Sequence, residues 1–219
     1  MATLSGKIRL RFQKTGRLKF ISHLDMMRTL QAALLRAKIP IYYTEGFNPH
    51  PKMVFSLPIA LGDESVCEFL DIRLNEPMEK EALLAAVNAQ LTSDLRFTDA
   101  YSREGMGKSD FHDIAYACYR LTLRDTDLAA VKAVLEGATP LPCEKKSKKG
   151  QVTVDLRPNI REVREEGGGV FTLTLCAGEF NYVNPENLMK ALREQTALPL
   201  DDYDILRFAV LREDGSEFS

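Results

Sequence analysis

The stretch KIRLRFQKTGRLKFISHLDMMRTLQAALLRA, residues 7–37, decides the fold class. Lys7 to Phe12 alternates strictly, with Ile8, Leu10 and Phe12 on one face and Lys7, Arg9 and Arg11 on the other. Period-two alternation predicts a half-buried strand. Thr15-Gly16 marks a turn. Ser22 then opens a helix to about Ala37, with Leu24, Met27, Leu30, Leu34 and Ala37 at helical spacing and Pro40 beyond the stop. Further along, Met53–Leu61 and Val66–Leu74 read as strands, the latter with Leu70, Ile72 and Leu74 inward. Pro77 sits where it can open a second helix, to about Leu91, and Leu95–Tyr101 reads as a strand. The order is β-α-β-β-α-β.

The pattern then repeats. After the Gly-rich stretch Arg103–Ser109 come a strand over Ile114–Arg124 and a helix over Asp127–Glu136, with Gly137 as the expected C′ residue. A basic hairpin-like region covers Cys143–Val154, while Asp155–Val163 reads as neither helix nor strand with clarity. Gly167–Gly169 is a turn and Val170–Cys176 a strand. Asn184-Pro185 caps and opens a helix to about Gln195, and Tyr203–Arg212 closes the chain as a strand. The expected architecture is α+β, two tandem ferredoxin-like (βαββαβ) domains over residues 1–105 and 110–219. The length of 219 residues suits two domains of about 100 each.

Composition excludes some classes. Apolar residues make up 45% and charged residues 27%, ordinary for a soluble globular protein. A net charge of −2 and an isoelectric point near 6.0 give no global case for a dedicated nucleic-acid binder. Cys67, Cys118, Cys143 and Cys176 are scattered without a CxxC or a Cys–His pair, so neither a zinc site nor an iron–sulfur cluster is expected. No apolar run of 18 residues exists and the N-terminus lacks a signal-peptide core, so the expectation is a cytoplasmic protein with no membrane partner and no cofactor. P-loop, GxGxxG, GxSxG and HExxH motifs are absent.

Five constellations carry possible chemistry. The richest is Tyr43-Thr-Glu-Gly-Phe-Asn-Pro-His-Pro-Lys52. Gly46 permits φ > 0, while Pro49 and Pro51 stiffen the backbone, so this is a shaped loop displaying Glu45, Asn48, His50 and Lys52. It reads equally as a ligand loop or as a rigid turn locked by His50. In Phe20–Asp25, Ser22 and Asp25 resemble a capping box, His23 is not needed for a cap, and Arg28 lies one turn on. His23 and His50 are expected at one mouth of the first domain. There they can act as an acid–base pair or, with Asp25 or Glu45, bind a metal, although neither spacing is a metal motif. The Lys7/Arg9/Arg11 stripe is either a nucleic-acid platform or an ion-paired strand facing Asp71 and Arg73. Lys145, Lys146, Lys148 and Lys149 can reach phosphates or form a solvated hairpin tip. Asp155 and Arg157, around Pro158, can contact a ligand or each other.

These motifs together resemble the radical SAM-linked protein family, a domain of unknown function found beside or fused to radical S-adenosylmethionine proteins. The resemblance rests on residues 11–28, 42–65 and 154–160. The family's SHLD and GFNPHP signatures fall on Ser22–Asp25 and Gly46–Pro51, and its DxRP element on Asp155, Arg157 and Pro158. The resemblance implies an accessory protein, since the CxxxCxxC cluster motif of the radical enzyme is missing. It implies a substrate-binding adaptor for a radical SAM enzyme. Genes of that family often sit near a ribonuclease of the E/G type, so the resemblance implies RNA metabolism by association and makes RNA a candidate substrate. His23, Arg28, Asn48, His50 and Lys52 would form the contact site, with Arg157 and the lysine hairpin adding phosphate contacts. The alternative is a metal-independent ribonuclease similar to CRISPR repeat-cleaving enzymes, with His23 as base and Lys52 or Arg28 stabilising the phosphorane.

Overall fold

The computed structural model describes residues 2–103, 110–147 and 150–218, without the side chains of Lys146 and Ser147. The chain divides into two compact units, Met1–Phe111 and His112–Phe218. Both mix helices with antiparallel strands, and the described residues contain four α-helices. The Gly-rich stretch expected as a linker lies mostly outside the described residues, at 104–109.

The first unit contains β1 (Thr3–Leu4), β2 (Lys7–Lys14), α1 (His23–Arg36), β3 (Val54–Phe55), β4 (Glu64–Arg73), β5 (Met78–Glu79), α2 (Lys80–Asn88) and β6 (Leu95–Ser102). Its main sheet runs β3-β4-β2-β6, every pair antiparallel. The inward residues Ile8, Leu10, Leu70 and Ile72 meet Met26, Leu30, Ala33 and Leu34 of α1 and Leu83 and Val87 of α2 in one core. Each fully buried Leu there stabilises the fold by about 1.5–3 kcal/mol relative to exposure. Leu24, expected on this stripe, is instead exposed, and Met26 takes the inward place. The helix begins at His23, so the core-facing stripe starts at N4.

Two local expectations change. The strand expected over Met53–Leu61 is only Val54–Phe55, because Pro58 and Gly62 prevent continued pairing. Pro77 does not open α2: Thr3 and Leu4 pair with Glu79 and Met78, which keeps that segment extended until Lys80.

The second unit contains β7 (Tyr116–Leu123), α3 (Leu128–Glu136), β8 (Pro142–Ser147), β9 (Gly150–Asp155), β10 (Ile160–Gly167), β11 (Val170–Cys176), α4 (Pro185–Thr196) and β12 (Tyr203–Leu211). Its strands run β10-β11-β7-β12, again antiparallel, with β8-β9 as a separate ribbon. Leu188 and Met189 of α4 lie over Leu121, Leu173 and Ile205. Gly137 follows α3, but at φ −66° it needs no left-handed backbone. Its smallness matters instead, since a Cβ would come within 2.7 Å of the Ala133 carbonyl. No helix among the described residues is long and apolar enough to cross a membrane.

On the face of the first sheet opposite the helices, Arg9 has no exposed surface. Its guanidinium grips Asp71 in bidentate fashion at 2.7 and 2.9 Å and reaches Asp110 at 2.7 Å. Phe111 lies 4.3 Å from the guanidinium carbon and Arg103 also holds Asp110, at 3.0 Å. Of the two readings of the basic stripe, the ion-paired one describes Arg9. Burial alone would lift the Asp110 carboxyl, but the hydrogen bonds from Arg9 and Arg103 outweigh it and hold the group below its ordinary value of 3.8. A depressed carboxylate contributes stability that is complete at neutral pH and is lost as pH falls through its folded pKa. We therefore expect the unfolding free energy to drop as pH goes from about 4 to 2, and Asp110→Asn to flatten that drop. Denaturant titrations at each pH measure it; parallel curves for the two proteins would count against the network.

Candidate functional site

The helix start is built by capping. Ser22 Oγ accepts the Asp25 backbone N–H at 3.1 Å and donates to the Asp25 carboxylate at 2.7 Å. Asp is too short to reach back to the cap's own N–H as Glu does in a capping box. A cap of this kind stabilises a helix by about 1 kcal/mol. Arg28 bridges Asp25 at 3.6 Å, with both side chains well exposed, so this pair adds little. His23 needs none of this. Its ring stands edge-on to Phe55 at 5.5 Å, and its Nδ1 is buried without a hydrogen-bond partner.

The loop after α1 is braced from within. Tyr43 pairs with Pro51, and the Thr44 N–H donates to the His50 carbonyl at 2.9 Å. The Thr44 hydroxyl accepts the His50 N–H at 3.2 Å and lies 3.1 Å from its Nδ1. Gly46 takes φ 127°, which other residues rarely adopt, and so lets the tip turn. His50 Nδ1 also lies 3.1 Å from the Asn48 carbonyl. A carbonyl only accepts, so neutral His50 carries its proton on Nδ1 and keeps the Nε2 lone pair available. Glu45, Asn48, His50 and Lys52 are exposed, and Phe47 at the tip is fully exposed. The side chains of Glu45, Asn48 and Lys52 make no hydrogen bond or ion pair among the described residues.

His23 and His50 belong to the same unit but have separate neighbours, and no hydrogen bond joins them. No group of three His, Cys, Asp or Glu among the described residues is placed to hold a metal ion. The four thiols are free and buried. Burial pushes Cys118, Cys143 and Cys176 up, which keeps them protonated and unreactive.

In the second unit, Asp155 and Arg157 close the end of α3. Asp155 accepts the N–H groups of Leu141 and Arg157, at 2.7 and 3.0 Å. The Arg157 guanidinium donates to the carbonyls of Thr139 at 3.0 Å, Leu135 at 2.7 Å and Val134. A cation on the last carbonyls of a helix satisfies otherwise orphaned acceptors and the dipole. The DxRP element thus has an architectural task where sequence reasoning expected ligand contact. Lys145 Nζ donates to the Tyr182 carbonyl at 3.2 Å. Lys146 contributes its backbone to β8, opposite Gln151, and Lys148 and Lys149 lie outside the described residues.

Sequence reasoning missed the buried charges at the end of the first unit's sheet where β2 passes into α1. Lys14, Asp63 and Glu68 are all buried. Lys14 Nζ donates to the Lys19 carbonyl at 2.9 Å, tying the end of β2 to the turn before α1. The signal was available: counting back by twos from Leu70 puts Glu68 inward, and counting on from Phe12 puts Lys14 inward.

The fold and this braced, outward-facing loop define a mixed α/β protein with a candidate recognition surface beside α1. The chain belongs to a family described as an uncharacterized protein conserved in bacteria (DUF2344), whose model matches residues 7–193. No curated protein matches the chain.

The capping assignment has a direct consequence. Arg157→Ala should cost about 1 kcal/mol of stability, since it leaves the part-buried carbonyls of Val134 and Leu135 without this donor. Chemical denaturation measures this. Unchanged stability together with lost ligand binding would return Arg157 to the list of contact residues.

Proposed function

We propose that the protein is a substrate-binding adaptor for a radical SAM enzyme, with both units ferredoxin-like. The strand orders β3-β4-β2-β6 and β10-β11-β7-β12 support that fold, because each places the first of its four strands in sequence centrally, beside the third and fourth. The observation that carries the functional reading is the loop of residues 44–52. Its backbone is braced by Thr44 and His50, while Glu45, Asn48, Lys52 and His50 Nε2 face outward. Ordering a loop costs conformational entropy, and a braced loop meets that cost before a ligand arrives. The resemblance of SHLD and GFNPHP to a radical SAM-linked family supplies the partner. RNA is the substrate class that suits His50, Lys52 and Arg28 as phosphate and base-edge donors. The site comprises His23, Asp25, Arg28, Glu45, Asn48, His50 and Lys52.

A ribonuclease reading has one observation in its favour. His23 places an unpartnered ring nitrogen at the first turn of α1. RNA turnover that survives His23→Ala removes that reading.

The adaptor reading is tested by a crosslinking pull-down from the native cell, recovering both RNA and protein. The wild type should enrich RNA together with a radical SAM protein, and His50→Ala with Lys52→Ala should lose the RNA. Neither side chain supports the core, so the double variant should fold normally. Recovery of neither class would overturn the proposal.

A further inference from the structure

The second unit carries a small cavity on the sheet face opposite α4. Leu121 and Leu173 lie under that helix, and the alternation of β7 and β11 turns Tyr116 and Thr174 the other way, into the cavity. It measures about 170 Å³ and is partly open to solvent. Clefts for drug-sized ligands run from about 300 to 1,000 Å³, so only a smaller molecule fits here. A bulge shapes one wall. Ile160 of β10 pairs with Leu175 and Glu162 with Thr174, so Arg161 is an extra residue in that strand. Bulges re-aim side chains, and this one brings the consecutive residues Arg161 and Glu162 to the same cavity. Leu211 and the turn after β12, with Glu213 and Asp214, complete the lining.

Two opposite charges line this cavity without pairing. The Tyr116 hydroxyl donates to Glu213 Oε1 at 3.2 Å, and the Arg161 guanidinium carbon lies 4.9 Å from the centroid of the same ring. One buried tyrosine thus holds a carboxylate at its hydroxyl and a guanidinium over its ring. Among the described residues neither Arg161 nor Glu213 makes an ion pair. The other charges of the lining are engaged. Glu162 takes Arg164 at 2.9 Å, and Asp214 accepts the Ser216 N–H and hydroxyl at 2.9 and 2.6 Å. A lone anion such as phosphate would meet Arg161 but also three carboxylates. A lone organic cation would meet the Arg161 guanidinium. No group of three His, Cys, Asp or Glu among the described residues is placed to hold a metal ion. One molecule with both charges answers Arg161 and Glu213 together.

We infer that this cavity binds a free α-amino acid, its carboxylate on the Arg161 guanidinium, its ammonium on Glu213 and its side chain toward Leu211. The planar fork of an arginine matches the two oxygens of a carboxylate. Glu162 and Asp214 repel a second carboxylate, so neutral side chains are preferred to acidic ones. The site lies wholly within the second unit and goes beyond the adaptor reading, on which it does not depend.

The test titrates the full chain with L-valine, L-glutamate, N-acetyl-L-valine, L-valine amide and inorganic phosphate, and follows amide chemical shifts. L-Valine should give saturable shifts at Tyr116, Arg161, Thr174 and Glu213. N-acetyl-L-valine lacks the ammonium and L-valine amide lacks the carboxylate, so each should bind at least about tenfold more weakly, the loss of one charge-assisted contact. L-Glutamate should also bind more weakly than L-valine. Arg161→Met keeps a stem over Tyr116, and Glu213→Gln keeps an oxygen for its hydroxyl. Each should weaken L-valine on the order of tenfold. Both positions are exposed, so the variants should fold, and their unchanged amide spectra away from the cavity check this. No saturable shift with L-valine, shifts mapping elsewhere, equal binding of phosphate or of either single-charge analogue, or full binding by both folded variants would each overturn the inference.

Discussion

Arg9 is the constraint on which much of the first unit depends. A guanidinium without exposed surface costs several kcal/mol to desolvate, and only well-aimed anions offset that. Asp71 supplies two parallel bonds from the neighbouring strand, and Asp110 supplies a third from beyond the last strand. Phe111 and Phe69 add ring faces, at 4.3 and 5.9 Å from the guanidinium carbon. The network therefore holds the end of the unit, Asp110–Phe111, against the middle of the sheet. Removing either carboxylate would leave the buried guanidinium with the other alone.

This has a functional consequence. The face of a four-stranded α/β sheet opposite its helices is where RNA-recognition domains stack bases. Here the centre of that face is filled by an ion network, and Arg11 is drawn toward the Val66 carbonyl at 3.4 Å. The two junctions of α1 lie at opposite ends of this sheet: β2 passes into α1 beside Ser65, and the chain returns from α1 beside Leu74. The first of these ends holds the capped helix start and the buried Lys14 and Glu68, while the braced loop springs from the second, where the Tyr42 N–H donates to the Arg73 carbonyl at 2.8 Å.

Much of this was legible in the sequence wherever periodicity and capping act locally. Ser22 and Asn184 each accept from the first turn of the helix they were expected to cap, and Asp127, expected as the first helical residue, caps its helix instead. The strand pattern of Lys7–Phe12 and the inward set Leu70, Ile72 and Leu74 followed from alternation alone. What was not legible depends on contacts distant in sequence. Pro77 resembles a helix start until Thr3 and Leu4 arrive to pair with the residues after it. Arg157 resembles a ligand contact until the carbonyls of α3, more than fifteen residues earlier, come within reach. In the loop, glycine and prolines announced an ordered turn. The lock between Thr44 and His50, and the uncovered Phe47, required coordinates.

The most direct test of the account is to map crosslinks residue by residue. The protein is irradiated in its native cell, digested, and the adduct-bearing peptides are sequenced by mass spectrometry. The account predicts RNA adducts within residues 43–55. Adducts concentrated on Arg9, Arg11 and Arg73, across the ion-paired sheet face, would contradict it.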